Sequence, residues 1–120
     1  MTVLFLSCKD SAAQQSTLLE PQELIDVLSS KDVHFVDVRT PKEFSKGHIA
    51  EAINIDFKSS TFEEEIKKLD TLKPIVIYCR SGRRSAMSSK ILDKAGFDEI
   101  YDLKGGVLNW IKQGEELVKE

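Results

Sequence analysis

The run Ile75-Val76-Ile77-Tyr78 is apolar or aromatic at every position and stops at Cys79-Arg80-Ser81-Gly82-Arg83-Arg84-Ser85. Two isoleucines, a valine and a tyrosine in succession read as a short buried strand. Gly82 permits a tight backbone turn in the segment that follows. Residues 85–95 then carry a helical pattern, opened by Ser85 and closed by Gly96. A chain with this order must place a thiol where a strand stops and a helix begins, with three arginines around it.

That placement suits a reactive sulfur, because the thiolate is the nucleophile and cationic surroundings favour it. Magnitudes rank the causes. A helix N-terminus gives an exposed anion only about 0.3–1 kcal/mol. A cation at about 4 Å supplies roughly 4 kcal/mol at an effective dielectric near 20. The arginines and converging loop amides are therefore expected to outweigh the dipole. The same amides form a concave nest for a sulfonate, sulfate or phosphate. Taken alone, Cys79 or an arginine favours a buried structural cysteine beside a solvated basic turn; the order strand, Cys, Gly turn, Arg, helix reverses this in favour of a functional site.

The remaining chain alternates short strands and helices. Strands are expected at residues 17–19, 33–39, 52–55 and 98–103, and helices at 21–28, from Pro41 through Phe44, at 62–69 and at 107–112. Pro21 and Pro41 stand at first helical positions, where no amide bond is lost. Gly105-Gly106 lets the backbone turn sharply before the last helix, in which Trp110 reads as core. His34 reads as a strand-surface side chain, and residues 115–120 as a solvated tail. Such alternation predicts a three-layer α/β/α fold around a small, mostly parallel five-stranded sheet. The C-terminal strand ends would gather Asp37, Arg39 and Cys79.

At 120 residues the chain has room for one domain, expected over residues 17–120. A net charge of −3 argues against generic nucleic-acid binding, which wants a basic face. Arg80, Arg83 and Arg84 instead make one cationic point on an acidic chain, which favours a small anionic substrate over a polyanion. Two cysteines and two separated histidines give no zinc spacing, so neither metal nor cofactor is expected. Residues 1–16 read as a leader or linker. Within them Leu6-Ser7-Cys8, followed by Lys9-Asp10-Ser11, resembles the end of a bacterial lipoprotein signal with its apolar segment truncated. On that reading Cys8 is lipidated and holds the chain at the membrane of the cell envelope. The other reading is a frayed terminus with an idle thiol on a cytoplasmic protein. Nothing in the sequence favours a Cys8–Cys79 disulfide.

An ordered set of motifs resembles the single-domain rhodanese family of sulfurtransferases. It comprises Asp37-Val38-Arg39, Glu43-Phe44, Gly47-His48-Ile49, Ala52-Ile53-Asn54-Ile55, the loop from Cys79 to Ser85, Gly96-Phe97, Leu103-Lys104-Gly105-Gly106 and Trp110. The set spans residues 19–112. The resemblance implies that Cys79 takes a sulfane sulfur from thiosulfate or another donor, carries it as a persulfide, and passes it to cyanide or a thiol acceptor. It implies further that backbone amides of Arg80, Ser81, Gly82, Arg83, Arg84 and Ser85 cradle the sulfur. Arg84 matches the family's loop arginine, either as an outward salt bridge or as a substrate contact. Arg80 and Arg83 become entrance charges, Asp37 and Arg39 braces of the site, and His48 a structural histidine. A protein sulfur acceptor and a non-catalytic interaction module are the competing readings. Phosphatases and arsenate reductases share the fold, but their chemistry wants five residues between Cys and Arg. Here only four separate Cys79 from Arg84.

Overall fold

Runs of β-branched and aromatic residues alternate with amphipathic segments along the chain, and each alternation becomes a strand and a helix. The computed structural model describes residues 16–119, so Cys8 and nearly all of the expected leader lie outside the described residues. The elements are β1 (Thr17–Leu19), α1 (Pro21–Ser30), β2 (His34–Asp37), α2 (Pro41–Lys46), β3 (Ile53–Asn54), α3 (Phe62–Lys67), β4 (Ile75–Tyr78), α4 (Arg83–Lys94), β5 (Ile100–Leu103) and α5 (Gly106–Lys112). The sheet runs β1-β5-β4-β2-β3 with every pairing parallel.

β4 is the central strand and all four of its residues are buried. Its side chains alternate between two cores, as a strand covered on both faces requires. Ile75, Ile77 and Cys79 join Val36, Val38 and Ile100 beneath Phe62 and Ile66 of α3 and Leu92 of α4. Val76 and Tyr78 join Phe35 and Leu103 beneath Leu24 of α1 and Trp110 of α5. Each large side chain removed from water contributes about 1.5–3 kcal/mol, so the double burial of β4 anchors the residue that follows it.

The strand order also locates the site. β2 is followed by β3 on one side of the sheet, whereas β4 is followed by β5 on the other. The strand order therefore reverses direction between β2 and β4, and the C-terminal strand ends at such a reversal are where a parallel sheet gathers its site. Asp37 and Cys79 flank the reversal, Asp37 ending β2 and Cys79 directly following β4.

Two local differences from the sequence reading stand out. α4 begins at Arg83, two residues before Ser85, because Gly82 itself caps the helix at φ +115°. The terminal segment is not a solvated tail. Val118 bridges His48 in antiparallel fashion through bonds of 2.9 and 2.8 Å, and Leu117 packs against the α1/α5 core. The charges of Glu115, Glu116 and Lys119 mask this apolar pair in a composition-based reading.

Candidate active site

Cys79 is a free thiol and almost wholly buried, at 1% exposure. The turn after it winds back over the sulfur. Gly82 N donates to Sγ at 3.1 Å, Ser85 N at 3.4 Å, and the Ser85 hydroxyl lies 3.5 Å away. Hydrogen bonds to a charged acceptor contribute about 1.5–3 kcal/mol each, so two backbone donors suit a sulfur that carries negative charge. Gly82 makes this possible, since its left-handed φ turns its own amide inward while starting α4. The first-turn amides of a helix have no intrahelical acceptor. Ser85 N uses the sulfur as its acceptor, and the amides of Arg83 and Arg84 stand beside it in the same turn.

The loop is held from behind by α5. Val107 N donates to Cys79 O at 2.9 Å and Leu108 N to Arg80 O at 3.1 Å. This approach is so close that a Cβ on Gly106 would sit 2.4 Å from Arg80 O and 2.6 Å from Cys79 O. Gly106 thus serves more than the turn that the sequence suggested, because it lets two backbones touch.

Of the arginines, Arg84 turns away from the sulfur. Its guanidinium grips Glu43 through two bonds of 2.7 and 2.9 Å. Glu43 is itself fixed at the start of α2 by a reciprocal cap with Thr40. The Arg84 bond holds the Glu43 carboxyl down at about 2, against the opposing effect of burial and with help from Thr40. Of the two roles left open for Arg84, the structure gives the outward salt bridge. Arg80, Ser81 and Arg83 are exposed at the rim, while Ser85 is fully buried.

Asp37 and Arg39 form a buried bidentate pair, with Arg39 Nη2 at 2.7 Å from Asp37 Oδ2 and 2.7 Å from Gly47 O. Burial opposes the charge on Arg39, but the Asp37 carboxylate outweighs it and raises the guanidinium further. Asn54 ties the same corner by donating to the carbonyls of Asp37 and Arg39. The partners of this pair are one another, Gly47 and the ring of Tyr78, with the guanidinium carbon 5.7 Å from the ring centre. The pair meets the residue before Cys79, not its sulfur. His48 is buried, with Nδ1 at 3.1 Å from Phe44 O and its ring stacked on Phe44 at 3.8 Å. His34 lies half-buried at the far end of β2, with Nε2 at 2.9 Å from Asp70 O. Among the described residues no group of His, Cys, Asp and Glu could hold a metal ion.

One residue of the site escaped the sequence reading. Asp102 on β5 is 2% exposed, and its Oδ1 has no hydrogen-bond partner. Burial pushes its carboxyl up to about 6, with the nearby Ser85 side chain acting in the opposite direction. The signal was present in the strand's alternation, since Asp102 falls on the same face as the core residue Ile100.

Comparison with known proteins agrees with this geometry. The family described as Rhodanese-like domain matches residues 20–113. A tRNA uridine(34) hydroxylase of Pelagibacter ubique is 33% identical over 110 residues, covering 91% of this chain and 36% of that protein. The Mycobacterium tuberculosis protein named "Probable adenylyltransferase/sulfurtransferase MoeZ" is 36% identical over 107 residues, covering 87% of this chain and 27% of its own. The chain therefore spans about a third of the length of such curated relatives. Among solved structures, a rhodanese-related protein of Thermoplasma volcanium superposes with a TM-score of 0.76 at 32% identity, covering 87% of this chain and 99% of that one. By motif order, sheet topology and these matches together, the chain belongs to the rhodanese-like domain family.

Proposed function

We propose that this chain is a sulfurtransferase that carries a sulfane sulfur on Cys79. The observation behind this reading is the sulfur's seat, a buried Sγ receiving the Gly82 and Ser85 amides. In the first half-reaction the Cys79 thiolate attacks the outer sulfur of thiosulfate. A new S–S bond forms, the donor's S–S bond breaks, and sulfite leaves with the electron pair. In the second, cyanide or a thiolate attacks the terminal sulfur, the persulfide S–S bond breaks, and the Cys79 thiolate is restored. No base is required once the sulfur is ionised. On this reading the first-turn amides of Arg83 and Arg84 receive the extra sulfur, and the exposed Arg80 and Arg83 draw in an anionic donor.

The relatives' names mention both sulfur transfer and tRNA hydroxylation. Only the stretch of about 110 residues that they share with this chain bears on the reading here, and the thiol loop of this chain favours sulfur. Phosphoryl transfer is disfavoured by the fixed outward grip of Arg84 on Glu43, which removes the guanidinium that would clamp a tetrahedral anion. A protein thiol acceptor fits the same two half-reactions.

The purified chain is expected to convert thiosulfate and cyanide to thiocyanate, and to gain the mass of one sulfur after thiosulfate alone. Cys79→Ser should lose both signals completely, and equal turnover in that variant would refute the assignment. An aryl phosphate run alongside should give no turnover; hydrolysis faster than thiocyanate formation would reverse the ranking.

A further inference from the structure

We propose that residues 116–118 form a clasp that positions the Cys79 loop, with Leu117 as its positioning residue, by tying together the two helices that hold the loop. This rests on Cys79 being the sulfur carrier and extends that reading to a segment far from the loop in sequence.

One of these helices is α5, whose Val107 and Leu108 amides donate to the carbonyls of Cys79 and Arg80. The other is α2, whose Glu43 grips the Arg84 guanidinium at 2.7 and 2.9 Å. The segment after α5 is bonded toward both. On the α5 side, Trp110 Nε1 donates to Glu116 O at 2.9 Å and Glu115 N donates to Trp110 O at 3.1 Å. On the α2 side, Val118 N donates to His48 O at 2.8 Å and His48 N donates to Val118 O at 2.9 Å. His48 continues the connection, its ring stacked on Phe44 and its Nδ1 at 3.1 Å from Phe44 O, one residue from Glu43. Leu117 lies between the two anchors. It packs on the core that holds Trp110 and rests against Gly47, where an added Cβ would come within 3.3 Å of Leu117 Cδ1.

The residues under the clasp reach the site by two further bonds. Gly47 O accepts Arg39 Nη2 at 2.7 Å, and Arg39 is paired with Asp37. Ile49 N donates to the hydroxyl of Tyr78, the residue before Cys79, at 3.0 Å. The consequence for the sulfur follows from where each helix takes hold. α5 fixes the start of the loop at Cys79 and Arg80, whereas α2 fixes its far end at Arg84. The spacing of the two helices therefore sets the span of the loop. That span carries Gly82 N and Ser85 N, which meet the sulfur at 3.1 and 3.4 Å. A misplacement of about 1 Å at a reacting centre costs on the order of a hundredfold in rate, so a modest slip of α2 against α5 is felt in turnover. Leu117 is only partly buried and the Val118 side chain is exposed, so the segment adds little to the core in comparison.

The test sets Leu117→Ala beside Leu28→Ala in the full chain. Leu28 is a partly buried leucine packed on the same core, but it lies beside Val33 and His34 at the start of β2, away from the loop. Both variants should lose a similar amount of thermal stability. With thiosulfate and cyanide, Leu117→Ala should lose on the order of tenfold in kcat with KM for thiosulfate changed less than about twofold, while Leu28→Ala stays within about twofold in both. Leu117→Met, which keeps the volume, should restore kcat. Exchange of the Gly82 and Ser85 amides, followed by ¹H–¹⁵N NMR, should quicken in Leu117→Ala and not in Leu28→Ala. Val118→Pro, which deletes one bridging amide, should quicken it too. In a Glu43→Gln chain the link to α2 is already weakened, so adding Leu117→Ala should cost at most roughly twofold more in kcat. Equal kcat for Leu117→Ala and Leu28→Ala, with equal exchange at Gly82 and Ser85, would overturn the proposal. A parent that makes no thiocyanate, while amide exchange still separates the two variants, would instead refute the sulfurtransferase reading and leave the clasp standing.

Discussion

Glu43, bound to Arg84, and Asp102, in register with Ile77 on the strand that leads to Cys79, are carboxyls that the protein shifts in opposite directions. Arg84 draws Glu43 down from 4.5 to about 2, while burial lifts Asp102 from 3.8 to about 6. Their contributions to stability therefore have opposite signs in pH. Asp102, with its folded value raised, contributes stability that is complete below about pH 4 and is lost as pH rises through about 6. Its ionisation at neutral pH costs roughly 3 kcal/mol. Glu43, with its value depressed, contributes stability that is present above about 4.5 and is lost as pH falls through about 2. Allowing for its partial exposure, that pair is worth about 1–2 kcal/mol. Urea unfolding should accordingly place maximum stability near pH 4 to 5. Asp102→Asn should raise stability at pH 7 and leave it unchanged at pH 4, whereas Glu43→Gln should lower it at pH 7 and converge with the parent near pH 2. Parallel pH profiles for parent and both variants would show that neither shift exists.

Between elements, the decisive contact is that of α5 with the loop after β4, where Gly106 lies against Arg80 O and Cys79 O at φ +62°. Ala at this position combines a strained backbone with a clash against another backbone, at a cost of roughly 3 kcal/mol. Gly106→Ala should lose thiosulfate turnover by more than tenfold along with thermal stability. Gly114→Ala, whose Cβ meets nothing within 4 Å, should retain turnover, although its φ of +92° is strained too. Turnover in Gly106→Ala equal to the parent's would mean the loop is not shaped by α5. The same contact explains how far the sequence could be read. Alternating apolar runs and glycine breaks specify five strands, five helices and the Cys79 junction, since each is written in contiguous residues. The Gly106–Arg80 approach, the Arg84–Glu43 grip and the Val118–His48 bridge join residues 26 to 70 positions apart. No local pattern encodes such pairings. Asp102 differs, because strand alternation put an acid on a core face and only its neighbour, Ser85, awaited the fold.

For the molecule as a whole, the proposed chemistry requires an acidic protein to attract an anion. The formal charge is −3, yet beyond a Debye length of about 8 Å at physiological salt an incoming dianion scarcely senses distant carboxylates. What it meets is the local rim, where Arg80 and Arg83 are exposed and, unlike Arg84, lie outside the Glu43 grip. A dianion about 7 Å from one guanidinium in water gains roughly 1 kcal/mol before screening and about 0.5 kcal/mol after it, roughly twofold in encounter. Replacing both arginines by alanine should thus raise KM for thiosulfate by roughly fivefold while kcat changes less than twofold, and should flatten the fall of kcat/KM with added salt. A control separates the local field from the net charge. Lys90→Ala with Lys94→Ala removes the same two charges from exposed positions farther along α4 and should leave both KM and the salt slope near the parent's. If the two double variants respond alike, the donor is drawn by the protein's total charge and the rim arginines have no special part. If only the rim pair responds, a cationic mouth of two side chains governs substrate approach against the sign of the molecule that bears it.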